Sequence, residues 1–410
     1  MARALARNGS AMGARSKGRL VLSGATLATA AGLRKADVAV EGERITEVGA
    51  VSPAKRDLVV DLAGMFLTPG LIDCHTHFVL DGDADPLIIT KRSDTELAAL
   101  GTSLAGATLR GGITTVRDNG SRNFVNVAVR NAINAGWAEG PRTMAAGEWL
   151  TMTGGHCHFM GHEIDGPHEA RKAARLQMKM GCDSIKVIAT GGVLTPGVNH
   201  RAAQLMHEEI EVIVGEASRA GRHVSAHAHG ADGIKNAAEA GCASVEHGTF
   251  MDEEAARLLT KRGVFWVPTM KALDDMRTKG VSHGMPEFAV KKAREAEQAI
   301  EETWKLALRH GVRVAMGTDA GTPFNFHGDN ARELELYVRY GMKPADALAT
   351  ATQNAAELLG KKGEVGAIVE GALADLLVLS RNPLKDVRAL QRSRVAVLKG
   401  GALVSGSLPA

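Results

Sequence analysis

The sequence predicts an α/β chain: a (β/α)8 (TIM) barrel with a small β-sandwich built from both termini. Three observations predict it. From Leu71 onward, eight short β-rich runs alternate with helical patterns, as a parallel sheet requires. The helical stretches often close on a glycine followed by the next run, at Gly136, Gly181, Gly221, Gly241, Gly263 and Gly311. Glycine tolerates the left-handed backbone that ends a helix. The 410 residues leave room for a barrel of about 250 residues and a smaller unit. The alternative is an open doubly wound sheet, but no Gly-x-Gly-x-x-Gly follows an early strand to favour it.

Residues 1–18 contain Arg3, Arg7, Arg15 and Lys17 and no acid; without those four charges the net +3 becomes −1. The rest is nearly neutral and shows no basic helix or aromatic platform, so nucleic acid is not an expected partner. Residues 1–18 lack the apolar stretch of a secretory signal and read as a disordered extension. No apolar run approaches the roughly 20 residues of a membrane span. The four cysteines, Cys74, Cys157, Cys182 and Cys242, show no Cys-x-x-Cys spacing, which suits a reducing cytoplasm rather than a disulfide framework. Cys74 and Cys157 lie beside histidines; a small buried residue is the expected role of each.

The β-sandwich is expected over residues 19–66 plus 366–405. Arg19–Leu27, Ala36–Val48 (two strands about Glu41-Gly-Glu43) and Asp57–Leu62 supply its first part, and Leu373–Leu379 and Val395–Val404 the second. Neither set buries enough surface alone, so the two are expected to pair. The barrel is expected over 67–365. Its strands are the run ending at His75, then Ile113–Arg117, Arg142–Ala146, Ser184–Ala189, His223–His227, Ser244–His247, Val264–Val267 and Val312–Met316. Two places break the repeat: a Gly- and His-rich loop from Glu148 to Asp165, and a polar insertion from Lys271 to Glu287. Functional loops and lids have this character.

Barrels of this kind carry their chemistry at the carboxyl ends of the strands. Those ends supply His75 and His77, Lys186, His227 with His229 just beyond, His247 and Asp319. Residues two apart on an extended chain share a face, so both imidazoles of His75-Thr-His77 project together. Neutral imidazole and carboxylate suit zinc and similar divalent metals. Lys186 lies in the apolar run Ile185-Lys-Val-Ile-Ala189, where a charged ammonium is costly and the pKa falls. A neutral amine adds carbon dioxide to give a carbamate, whose two oxygens bridge two cations.

This pattern resembles the amidohydrolase superfamily, in its binuclear branch with a carboxylated lysine. The resemblance rests on Pro69-Gly-Leu-Ile-Asp-Cys-His-Thr-His77, Lys186, Ala226-His-Ala-His229, Glu246-His-Gly248 and Gly317-Thr-Asp-Ala320. It implies a metal held by His75, His77 and Asp319, a second held by His227 and His247, and carboxylated Lys186 between the two divalent ions, with zinc the expected metal. His229 competes with His227; the family places the ligand within the strand, which favours His227. The resemblance further implies that the metals activate a water, that Asp319 takes its proton and passes it to the leaving nitrogen, and that His229 donates a hydrogen bond to the carbonyl oxygen.

Thr190-Gly-Gly-Val193, Thr115-Val-Arg-Asp118 and Thr153-Gly-Gly-His156 look most like dipeptidases and carboxypeptidases that release a C-terminal residue, and like amidases of N-acylated amino acids. His156 is then the expected contact of the substrate carboxylate, with His158 a second candidate. The chain departs from the common Gly-Gly-His-Gly: Cys157 follows, then His158-Phe159. Arg117 is expected to form a structural ion pair with a neighbouring strand. His162, His200, His283 and His327 are expected to be surface histidines. Two further readings remain: a cyclic-amide hydrolase or deaminase, and a non-catalytic assembly protein on the same barrel. The expected partner is a small molecule, and relatives imply a homo-oligomer.

Overall fold

The computed structural model describes residues 18–409, so the extension expected over 1–18 lies, except for Gly18, outside the described residues. Seven of the eight expected strands form two parallel sheets. One orders Arg142–Ala145, Ile113–Asp118 and Leu71–Thr76; the other orders His162–Glu163, Trp149–Thr151, Ser184–Ile188, His223–Gly230, Ser244–Phe250 and Phe265–Val267. Register is parallel throughout, for example Ile188 opposite His227 and Ala228 opposite His247.

Backbone hydrogen bonds link the sheets at both seams. At one, the Asp183 N–H donates to Ala145 O at 2.8 Å. At the other, the expected eighth strand is irregular: Trp266 N donates to Arg313 O at 2.8 Å, Ala315 N to Trp266 O at 3.0 Å, and Cys74 N to Met316 O at 2.8 Å. It makes isolated parallel bridges, Trp266 to Val314 and Thr76 to Ala320, rather than a ladder. Just past it the chain runs close to its neighbours and only glycine fits: a Cβ on Gly317 would stand 2.3 Å from Val267 Cγ1 and 2.8 Å from His75 Cβ.

The helices pack outside the parallel strands. Asp94–Arg110 starts on a capping box, with Glu96 N donating to Ser93 Oγ at 3.3 Å and Ser93 N to Glu96 Oε2 at 2.7 Å. It buries Leu97, Ala105 and Leu109 along one stripe. Each buried leucine stabilises the fold by roughly 1.5–3 kcal/mol. The six glycines expected to close helices all adopt positive φ, from 66° to 93°.

Both chain ends contribute to two further sheets. Four strands order as Arg44–Gly49, Asp37–Glu41, Leu20–Ser23 and Leu58–Asp61; six order as Ala402–Gly406, Arg394–Lys399, Leu376–Leu379, Phe66–Pro69, Thr26–Thr29 and Gly32–Lys35. One apolar cluster draws Leu22, Val38 and Ile45 from the first and Leu67, Leu376 and Leu398 from the second. The run read as one strand over 19–27 is divided: Gly24, at φ 70°, turns Leu20–Ser23 into one sheet and Thr26–Thr29 into the other.

Both breaks in the repeat are more ordered than expected. Trp149–Thr151, within the first break, forms a strand of the second parallel sheet, Trp149 pairing with Lys186 and Leu150 with Val187. The insertion forms a helix, Met270–Lys279, buried from Met270 to Met276. Its charges are neutralised in place: Lys271 Nζ donates to Asp275 at 2.9 Å and Asn325 at 2.7 Å, while Arg332 pairs with Asp274 and Asp275. Glu333 accepts the first N–H groups of that helix, from Met270 at 2.7 Å and Lys271 at 2.6 Å. Among the described residues, no helix is long and apolar enough to cross a membrane.

Candidate active site

A cavity of about 610 Å³, its open mouth included, lies at the carboxyl ends of the parallel strands. It is lined by His75, His77, Lys186, His227, His229, His247 and Asp319, and by His156. The structure thus brings together all the expected ligand residues. His158 is not among them: it is exposed, its ring packing edge-on to Phe159. Cys157, at φ 61°, turns the chain between the two histidines, so His156 faces in and His158 faces out. His158, expected as a second substrate contact, thus does not line the cavity.

Hydrogen-bond polarity sets each imidazole. His75 Nδ1 donates to Glu246 Oε2 at 2.8 Å, and His77 Nδ1 to Gly120 O at 3.0 Å. Burial pushes the His75 pKa down to about 4, with Lys186 adding to the effect, so the ring is neutral at pH 7. The His75 Nε2 then presents a lone pair to Asp319 Oδ1 at 3.3 Å, and His77 Nε2 lies 3.2 Å from the same oxygen. Acceptors that converge at such range repel one another unless a cation lies among them. Burial works to raise the Asp319 carboxyl, but in the acid range where it titrates the His75 ring is protonated and, with Lys186, holds it at about 2.

His227 Nε2 donates to Gly191 O at 3.1 Å, which leaves the Nδ1 lone pair. His247 Nδ1 lies 2.7 Å from Thr269 Oγ1, whose own proton goes to Pro268 O at 2.8 Å. The ring must therefore donate, which leaves its Nε2 lone pair free. His229 Nδ1 lies 2.7 Å from Thr249 Oγ1, a hydroxyl with no other acceptor among the described residues. That hydroxyl donates to Nδ1, which leaves His229 an Nε2–H. Two Thr–His pairs thus have opposite polarity. Ligand atoms of His227, His229 and His247, and of His75, His247 and Asp319, lie within 4.8 Å of one another. The donor set fits divalent metal.

Lys186 Nζ is buried and, among the described residues, has no hydrogen-bond partner. Burial lowers its pKa to about 8, against the pull of Glu246 and Asp319. The two residues that turn the chain under the site, His247 at φ 67° and Asp319 at φ 59°, occupy the left-handed region that non-glycine residues seldom adopt.

Sequence reading gave no role to Glu246. Its carboxylate accepts from His75, from Arg117 Nη2 at 2.8 Å and from Asn119 Nδ2 at 3.3 Å. Burial would raise its pKa; Arg117 and His75 hold it at about 2. Its signal in the sequence was slight: an acid immediately before His247, inside a strand, beside a buried arginine two strands or more away. Arg117 forms the expected ion pair, but with Glu246 inside the layer of parallel strands rather than with a neighbouring strand. Arg117→Met leaves that carboxylate buried without its cation. It should destabilise the fold by about 3–5 kcal/mol, read from urea unfolding.

Trp149 and Thr269 also line the cavity and were not singled out; Trp149 packs 5.2 Å from the His77 ring. Burial pushes the Cys157 thiol up to about 12, so it stays protonated, as a small buried residue. Two histidines expected at the surface are not there. His200 is 4% exposed, its ring 5.1 Å from Phe250. His327 is partly buried, with Nε2 donating to His77 O and Leu80 O, each at 3.2 Å. His162 is partly exposed beside Glu148, and His283 is exposed.

Residues 66–404 match the amidohydrolase family. Ochratoxinase of Aspergillus niger is 33% identical over 374 residues, covering 83% of this chain and 76% of that protein. The crystal structure of a Xaa-Pro dipeptidase with methionine in its active site superposes with a TM-score of 0.88 at 33% identity, over 95% of this chain and all of the other. Imidazolonepropionase of Rubrobacter xylanophilus is 25% identical over 387 residues, 84% of each chain. The match spans most of the chain and every strand that carries the histidines, the lysine and the aspartate of the cavity, and the chain belongs to the amidohydrolase family.

Proposed function

We propose that this chain is a two-metal hydrolase that cleaves an amide bond and releases a free amino acid. The observation that carries this reading is the convergence of the His75 and His77 Nε2 atoms on the Asp319 carboxylate beside the Lys186 amine, which has no hydrogen-bond partner among the described residues. In this reading residues 67–365 close into one (β/α)8 barrel through the irregular eighth segment, and residues 19–66 and 366–405 form the sandwich. His75, His77 and Asp319 would hold one metal and His227 and His247 the other, with carboxylated Lys186 between them. His227 is the ligand and His229 the donor because their hydrogen bonds run in opposite senses.

Bound divalent metals supply Lewis acidity and a more acidic water. The side chains do the rest. Asp319 accepts a proton from the attacking water, whose oxygen bonds to the carbonyl carbon. His229 donates its Nε2–H to the carbonyl oxygen as charge develops there. The carbon–nitrogen bond breaks, and Asp319 returns the proton to the leaving nitrogen. His156, held neutral as burial takes its pKa to about 3, meets the carboxylate of the departing amino acid. The walls around it are apolar: Leu80, Trp149, Met160, Val193, Leu273 and Met276.

The likeness to ochratoxinase and to a Xaa-Pro dipeptidase supports an amide with a C-terminal amino acid as substrate. The imidazolonepropionase likeness favours a second reading, a cyclic amide. A panel of dipeptides, N-acyl amino acids and cyclic amides, assayed on zinc-loaded protein with its metal content measured, separates the two. Release of free amino acids with two metals per chain is expected. Cleavage of the cyclic amides alone would replace the first reading by the second.

A further inference from the structure

The loop over residues 189–206 links the Lys186 strand to the helix His207–Arg219. It carries Val193 and Leu194 of the cavity wall and runs against His156: a Cβ on Gly192 would stand 2.2 Å from His156 Nε2. One side chain from outside gathers three of this loop's carbonyls. Lys292, on the helix Glu287–Arg309, donates from Nζ to Val198 O at 2.6 Å, Thr195 O at 2.8 Å and Gly192 O at 3.2 Å. An ammonium has three protons, and here each has a carbonyl.

Thr195 carries the constraint inward. Its hydroxyl accepts the Cys157 N–H at 3.0 Å and lies 2.7 Å from His156 Nδ1. Among the described residues His156 Nδ1 is the one acceptor in reach of that hydroxyl proton. Thr195 therefore fixes His156 as the Nε2–H tautomer, a neutral donor at the cavity wall whose Nε2 also lies 3.3 Å from Cys157 Sγ. The geometry points to Lys292 as a positioning residue: by holding the 192–198 carbonyls it keeps Thr195 against His156 and so sets how His156 meets a substrate. The functional half of this inference rests on the reading of His156 as the carboxylate contact.

The variants are Lys292→Met, which keeps the stem and removes the donors, with Thr195→Val and His156→Asn beside it. The first measurement is nuclear magnetic resonance of the imidazole nitrogens in zinc-loaded protein with isotope-labelled histidine, His156→Asn giving the assignment. Wild type should show His156 protonated at Nε2; Thr195→Val and Lys292→Met should both shift or mix its tautomers and leave His75 and His247 unchanged. An unchanged His156 signal in Lys292→Met overturns the proposal, whatever the substrate. The second measurement compares the fastest-cleaved member of the panel with its C-terminally amidated twin. Lys292→Met should raise KM for the free carboxylate about ten-fold, with kcat and metal content held and the amidated twin unaffected. Equal weakening of both twins indicates general loosening and overturns the positioning role. If the tautomer shifts but His156→Asn itself leaves both KM values unchanged, the carboxylate reading of His156 fails while the hold of Lys292 on it stands.

Discussion

Asp319→Asn should lower kcat by about 10³-fold, within the range that a lost general base accounts for, and leave KM and most of the bound metal in place. The substitution isolates chemistry from architecture for two reasons. Asp319 lies at φ 59°, a conformation that asparagine tolerates better than other non-glycine residues. The structural contacts of the position are made by its main chain: Asp319 N donates to His75 O at 2.7 Å, and Asp319 O accepts from Asn325 Nδ2 at 2.9 Å. Asparagine keeps both, and its amide oxygen still faces His75 and His77. What it loses is a negative charge able to take and return a proton. Turnover rates and metal content should be measured on one preparation. A near-native rate removes Asp319 from the proton path. Loss of metal in step with activity makes it a ligand first and a base second.

The sequence carried most of this layout because the site is written in short-range code. His75-Thr-His77 needs only the period of a strand to place two imidazoles on one face, and a lysine inside Ile185-Lys-Val-Ile-Ala189 is conspicuous wherever the chain goes. Glycines before each strand marked the helix ends because helix termination is itself local. What escaped was set by contacts between distant segments. Glu246 gains its role only when folding brings His75 and Arg117 to it, 171 and 129 residues away. The stretch from Lys271 reads as a polar loop because its charges are counted singly, whereas folding pairs them with Asn325 and Arg332 and buries the helix. The eighth segment reads as a strand by composition, but it pairs through isolated bridges, Trp266 to Val314 and Thr76 to Ala320, which depend on segments far away in the chain. His158 shares its neighbour's chemistry and faces the other way because of one left-handed residue, Cys157, which composition does not signal.

Lys186→Met should move stability and activity in opposite directions. The ammonium of Lys186 is buried with no partner among the described residues, and such a group costs about 1–3 kcal/mol or more. Methionine has nearly the same length and no charge, and Val187 and Ile185 beside it are fully buried. In metal-free protein the variant should therefore be the more stable by roughly that amount in urea unfolding. A lysine retained only for packing would show no such gain. With metal supplied, the same variant should hold at most one ion per chain and turn over about 10³-fold more slowly, because methionine offers no oxygens to share between two cations. Wild-type protein stripped of metal and reloaded in bicarbonate-free buffer should match the variant's low activity, and added bicarbonate should restore only the wild type. A Lys186→Met protein that is less stable than wild type and still binds two metals would show that the amine is structural, and the carbamate would then have no place in the site.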